Sequence, residues 1–353
     1  MKWYPWLRPS FEQLVGSYQA GRGHHALLLQ SLNGMGGEAL IYALCRFLMC
    51  RQPEGHKSCG HCHSCQLMQA GTHPDYYALS PEKGKSALGI DAVRDVNEKL
   101  YEHARLGGAK VVWISDAALL TDAAANALLK TLEEPPENTW FFLACEEPAR
   151  LLTTLRSRCR LHHLAPPSEP YALAWLEREV SLPQESLLTA LRLCASAPAA
   201  ALELLQEPLW TARQQLCQAL AATLASGDWL ALLPVMPFAA AQFCRLVIPK
   251  AAKWVGDHSQ ISFYMWLASL LVDAQKRQQG ITLVSNPDVW PLLEQLAHSL
   301  PAARLQAIAH DVCTCREQLL NVIGVNRELL LTERLLRWEH YLQPGTGLPV
   351  SHL

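Results

Sequence analysis

Four cysteines early in the chain, Cys50, Cys59, Cys62 and Cys65, follow the spacing C-x8-C-x2-C-x2-C, with Gly55 and Gly60 between them to allow tight turns. Thiolates spaced in this way can converge on one ion, and Zn²⁺ takes four such ligands in a tetrahedron at about 2.3 Å. His56, His61 and His63 lie in the same stretch, and one of them could replace a cysteine. A site filled by four protein ligands leaves no position for water, so the expected zinc is structural rather than catalytic. A redox C-x-x-C is the weaker reading, because nothing thioredoxin-like surrounds it. Cys45, Cys194, Cys217 and Cys244 read as small core residues, and Cys313 and Cys315 are assigned no metal or redox role.

A second chemical feature precedes these cysteines. Ala26–Gln30 is a short apolar run, residues 31–37 are a small-residue turn, and residues 38–49 carry helical apolar positions. Strand, glycine turn and helix form the frame of a phosphate-binding loop, G-x-x-x-x-G-K-[ST]. In that register Ser31 stands at the first glycine, Gly34 lies inside the loop, Gly36 is the last glycine, Gly37 replaces the lysine and Glu38 replaces the hydroxyl. The shape can survive these changes, but the chemistry cannot. No ammonium reaches the phosphates, and a carboxylate stands where a helix N-terminus would attract an anion. A working P-loop enzyme also needs acidic residues after a later buried strand to hold Mg²⁺ and orient water. At the end of the strand over residues 109–115 those places hold Ser115 and Asp116. The sequence therefore predicts a nucleotide-binding scaffold that does not turn over nucleotide. No bound ATP is expected.

These residues need a scaffold. Apolar strand-like runs at 26–30, 76–79, 109–115, 140–145 and up to Leu164 alternate with helices predicted at 11–20, 38–49, 90–104 and 123–134. Asp91 is expected to cap the third of these, and Thr121 or Asp122 the fourth, which Pro135-Pro136 ends. Such alternation predicts a parallel sheet covered on both faces. Residues 165–168 read as a linker and residues 171–205 as a small helical unit. From residue 208 onward helices are expected at 211–224, 229–233, 240–255, 263–277, 289–300 and 326–342, and Leu305, Ile308, Val312, Cys315 and Leu319 form one more helical stripe. Residues 345–353 read as a loose tail.

The totals set limits. The chain has 353 residues, half of them hydrophobic, and a net charge of −2, which argues against a basic nucleic-acid binder working alone. The opening residues lack a basic stretch followed by an apolar one, and the apolar runs are short or broken by Pro234 and Pro237. A cytoplasmic protein with reduced thiols and no membrane partner is expected.

The run Asn126-Ala127-Leu128-Leu129-Lys130-Thr131-Leu132-Glu133-Glu134 closed by Pro135-Pro136, the triplet Ser157-Arg158-Cys159, the cysteine insert after the loop helix and His73-Pro74-Asp75 occur here in one order. Together with the degraded loop and the opening Trp3-Tyr4-Pro5-Trp6-Leu7, they resemble the clamp-loader branch of the AAA+ family. The resemblance implies an AAA+ core over residues 1–165 with a degenerate P-loop and a zinc module at 50–65. It further implies a helical lid at 166–207 and an all-α collar at 208–353 that packs subunits into a ring. In hydrolysing relatives an arginine near the lid's end senses phosphate, and that position here is Ala199. The arginine of the Ser-Arg-Cys triplet, Arg158, would project to the γ-phosphate of a neighbour's ATP.

The implied function is a stator-like, non-hydrolysing subunit of the bacterial DNA polymerase III clamp loader. It would work in DNA replication with ATPase and clamp-opening subunits, and meet the sliding clamp and primed DNA through the complex. Two rival readings predict different behaviour. An ATPase in its own right would turn over ATP alone, and a zinc-module nucleic-acid binder would grip DNA as a monomer in a salt-sensitive way.

Overall fold

The computed structural model describes residues 1–81, 87–206, 208–235, 252–321 and 326–342, which fall into two compact units, Met1–Pro167 and Ser168–Leu353. Lys83 and Lys85, in a stretch the sequence reads as polar, most of the helix expected at 240–255 and the tail expected from Gly345 lie outside the described residues.

The first unit is a five-stranded parallel sheet. Its strands are β1 Ala26–Gln30, β2 Tyr76–Leu79, β3 Lys110–Ile114, β4 Thr139–Cys145 and β5 Arg160–His163, in the order β2-β3-β4-β1-β5. The central strands are apolar along their length because helices cover both faces, and a parallel strand of this kind has no solvent side. Its helices are α1 Arg8–Gln19, α2 Gly37–Met49, α3 His63–Ala70, α4 Ile90–Tyr101, α5 Asp122–Glu133 and the short α6 Thr153–Arg156. On one face Leu28, Val112, Phe141 and Leu143 pack with Val93, Val96 and Leu100 of α4, Leu128 and Leu132 of α5, and Leu155 of α6. Alternate residues such as Leu27, Leu29, Trp113 and Phe142 are buried toward the other face. There α1 sets the Tyr18 ring edge-on against Trp140 at 5.2 Å.

Local signals explain several boundaries. Thr121 Oγ1 accepts from the Ala124 N–H at 3.2 Å and caps α5. Asp91 does not cap α4, whose cap position is Gly89. It lies in the first turn, where its charge suits the helix dipole. At the other end of α4 the buried Lys110 ammonium donates to the Leu100 carbonyl and, at 3.0 Å, to that of Glu102. A cation thus satisfies carbonyls that the helix cannot.

The second unit is helical: α7 Glu169–Glu179, α8 Gln184–Leu193, α9 Pro198–Leu205, α10 Leu209–Ser226, α11 Ala252–Gln278, α12 Trp290–Ser299, α13 Ala302–Asn321 and α14 Arg327–Leu342. One hydrophobic core joins Leu176 and Leu191 to Leu216, Leu270, Leu293, Val312, Leu335 and Trp338, so apolar packing runs from the first small helices to the last. Arg213, fully buried on α10, donates to Asp288 Oδ2 at 2.6 Å and to Asn286 Oδ1 at 2.8 Å. Asp288 also accepts from Thr189 of α8 at 2.7 Å, and Asp273 of α11 accepts from the Asn286 side-chain amide at 2.8 Å. This network fixes α8, α10 and α11 around the turn that starts α12. Among the described residues no helix is long and apolar enough to cross a membrane.

Candidate functional site

The four cysteines converge. Their sulfurs all lie within 4.8 Å of one another, with Cys50 Sγ 3.5 Å from Cys59 Sγ and Cys59 Sγ 3.9 Å from Cys65 Sγ. Ligands at about 2.3 Å from a tetrahedral centre are about 3.8 Å apart, so the donor set fits Zn²⁺. Backbone N–H groups point at the sulfurs: Cys59 at Cys50 Sγ (3.3 Å), Cys62 at Cys59 Sγ (3.4 Å) and Cys65 at Cys62 Sγ (3.5 Å). Such donors favour thiolates. For Cys62, burial pushes the thiol up, but the N–H groups of Arg51 and Cys65 and the neighbouring thiols outweigh it and bring it down to about 6. Burial pushes Cys50 up. The histidine alternatives do not enter the cluster. His56, His61 and His63 are exposed, and His61 Nδ1 instead meets the Cys59 carbonyl at 3.0 Å.

The sequence pattern does not reveal α3, which begins inside the cysteine motif with Cys62 as its cap. It also hides the bonds that hold α3. Ser64 Oγ donates to the Met49 carbonyl at 2.7 Å and meets His73 Nε2 at 2.8 Å. His73 Nδ1 accepts from the Asp75 N–H at 3.2 Å, so the proton sits on Nε2 and Ser64 accepts it. Asp75 in turn accepts from the N–H groups of Arg105 (2.9 Å) and Leu106 (3.1 Å). The motif His73-Pro74-Asp75 therefore fastens the cysteine module to the end of α2 and to the sheet.

At the glycine turn, Gly34 and Gly36 both adopt positive φ, 78° and 80°. Only glycine does so without strain. The loop is packed from outside by the N-terminal aromatics. Trp6 Nε1 donates to the Met35 carbonyl at 2.8 Å, Tyr4 stacks on Trp6 at 4.7 Å, and a β-carbon on Gly36 would lie 2.5 Å from the Tyr4 ring. Gly37, at the lysine position, is buried. A β-carbon there would lie 2.9 Å from Leu29 Cδ2 and 2.9 Å from Ser31 Oγ. Glu38 is exposed in the first turn of α2.

Beyond β3, Ser115 and Asp116 follow the strand. Asp116 Oδ1 accepts from the Ala118 N–H at 2.9 Å and caps a single 3-10 turn at Ala117–Leu119. Its carboxylate has a local structural task. Ala199 lies in the first turn of α9.

Arg158 sits in the turn between α6 and β5. Its Nε donates to Glu133 Oε1 at 2.7 Å, its Nη2 donates to the same oxygen, and its Nη1 donates to the Thr154 carbonyl at 2.7 Å. The arginine side chain keeps 29% of its surface exposed. The sequence makes Arg156 and Arg160 the better candidates for a surface ion pair. Among the described residues neither forms one, and Arg158 does. Glu133 is therefore a residue the sequence reading missed. An acid in the last turn of a helix opposes the helix dipole, so a local cation is the signal that could have found it.

Comparison with known proteins gives a consistent result. A family profile described as "DNA polymerase III, delta subunit" matches residues 7–168, and one described as "DNA polymerase III subunit delta', AAA+ ATPase lid domain" matches residues 167–206. A third, "DNA polymerase III, delta subunit, C terminal", matches residues 207–340. The chain is 64% identical to the DNA polymerase III subunit delta' of Escherichia coli (strain K12), covering 100% of both chains. It is 51% identical to the subunit delta' of Yersinia pestis, covering 98% of each. Over 151 residues it is 32% identical to the DNA polymerase III subunit tau of Escherichia coli (strain K12), which covers 43% of this chain and 23% of that one.

Proposed function

Since the chain belongs to the DNA polymerase III subunit delta' family, a clamp-loader family of AAA+ architecture that serves DNA replication, we propose that it is a stator-like subunit. In this reading it hydrolyses no ATP itself and lends Arg158 to a neighbour's active site. The observation that carries the reading is Gly37 at the lysine position, where no ammonium can reach phosphate and where a β-carbon would lie 2.9 Å from both Leu29 Cδ2 and Ser31 Oγ, so that both must shift to admit a side chain. Exposed Glu38 and the capping task of Asp116 support it, because both remove groups that would otherwise neutralise phosphate or hold Mg²⁺. They also weigh against an independent ATPase.

The chemistry of the hand-over is simple. A guanidinium cannot deprotonate, and in a dry interface it stabilises charge that builds on a transferring phosphoryl group. Arg158 retains an exposed edge at the surface turn before β5. The partners in this reading are ATPase subunits, including tau-like ones, and a clamp-opening subunit, with the sliding clamp and primed DNA met through the assembly. Residues 1–165 would be the AAA+ core, 166–207 the lid and 208–353 the collar that packs against other subunits. Cys50, Cys59, Cys62 and Cys65 would hold one structural Zn²⁺, which when bound neutralises the thiolates and fixes α3. The protein would work in the cytoplasm.

Titration of the isolated chain with Mg-ATP tests the first half of the reading. No binding is expected into the millimolar range and no phosphate release; micromolar affinity would overturn the loop argument, and turnover by the chain alone would overturn the non-hydrolysing reading.

A further inference from the structure

The Glu133–Arg158 pair joins the end of α5 to the turn before β5, and its geometry is asymmetric. Glu133 uses one oxygen, Oε1, for both Nε and Nη2 of Arg158. These two nitrogens form one side of the guanidinium fork. Thr154 takes one proton from Nη1. Arginine carries five N–H donors. Three are engaged, so one N–H on Nη1 and one on Nη2 have no protein partner among the described residues. Glu133 keeps 50% of its side-chain surface exposed, so this is an accessible pair at the protein's edge.

We propose that Glu133 is a positioning residue for the trans-acting arginine. It holds the guanidinium by its Nε side and turns the two remaining N–H groups toward a triphosphate on the neighbouring subunit. The proposal rests on the arginine-finger reading above. The physical reason lies in side-chain entropy. A free arginine has many rotamers and loses that freedom on binding phosphate. Holding the fork in advance removes part of this cost from the transition state. A charge-assisted contact is strong enough to fix the rotamer, and half-exposure keeps it from being permanent. The carboxylate takes the Nε–Nη2 edge and leaves one N–H on each terminal nitrogen, so phosphate can be met by those protons without displacing Glu133. An acid at a helix C-terminus otherwise costs stability, and Glu133 avoids part of that cost through its partner.

The test uses the complete reconstituted clamp-loader complex with the clamp and primed DNA, comparing wild type, Glu133→Ala, Glu133→Gln, Arg158→Ala and the Glu133→Ala/Arg158→Ala double variant. Complex assembly is checked for each. Glu133→Ala is expected to lower the kcat for ATP hydrolysis about tenfold, the scale of a misplaced catalytic group, with KM for ATP nearly unchanged. Glu133→Gln retains an acceptor oxygen and should recover most of the rate. The double variant should be no slower than Arg158→Ala alone. Wild-type kcat in Glu133→Ala, with Arg158→Ala strongly impaired, would overturn the role of Glu133 and leave the finger standing. A faster Glu133→Ala enzyme would also overturn it, since the carboxylate would then restrain the arginine. An unimpaired Arg158→Ala complex would instead overturn the finger reading itself.

Discussion

Ser31 Oγ occupies the space beside Gly37, 2.9 Å from where a β-carbon on that glycine would stand. The residue at the first loop position carries a side chain, and the residue at the lysine position beside it carries none. A lysine at position 37 therefore meets the Ser31 side chain as well as Leu29.

Gly37→Lys is expected to destabilise the protein by about 1–3 kcal/mol, the usual cost of overpacking, without creating ATP affinity. Adding Ser31→Gly should recover part of that loss. Denaturant unfolding of the two variants beside ATP titration checks both statements.

The purified protein should carry about one zinc per chain, as elemental analysis would show. Cys65→Ser should release the metal and cost about 2 kcal/mol. That is well below the ~10 kcal/mol of an isolated zinc finger, because Ser64 and His73 also hold α3 in place. A metal-free preparation with unchanged unfolding would contradict the assignment.

Much of the first unit is legible in the sequence, and the reason is physical. Buried parallel strands are apolar throughout, so Leu27 to Leu29 and Val111 to Ile114 stand out from their surroundings. Cysteine spacing reveals the ligands because four thiols must reach one point. The sequence hides what depends on distance along the chain. Ser64 and His73 are nine residues apart and hold each other through a rotamer and a tautomer, neither of which leaves a pattern. Glu133 and Arg158 are 25 residues apart, and only the adverse position of the acid hints at the pair. The core that joins Leu176 to Trp338 is equally invisible in helical stripes, which show a buried face but not what covers it.

His162, on β5, has a pKa lowered from 6.5 by burial first, then by the charges of His163 and Arg160. The native state favours the neutral ring. Its contribution to stability is full above the unfolded value near 6.5 and is lost as pH falls through the lower folded value. His73, lowered mainly by burial, acts in the same window. His162→Gln should therefore flatten, without abolishing, the fall in stability on acidification below pH 6.5, as read by urea midpoints across that range.

Arg213→Met should be severe, about 3–5 kcal/mol, because it leaves the Asp288 carboxylate unpaired in the helical unit. Adding Asp288→Asn removes the orphan charge and should restore part of the stability. Thermal unfolding of the single and double variants measures this.

The rate of ATP turnover by the reconstituted clamp-loader complex carrying Arg158→Ala tests the trans role of this arginine most directly. With assembly intact, the predicted rate is at least about tenfold below wild type, in the direction and toward the scale of arginine-finger losses. Turnover equal to wild type would contradict the claim that this chain completes a neighbour's active site.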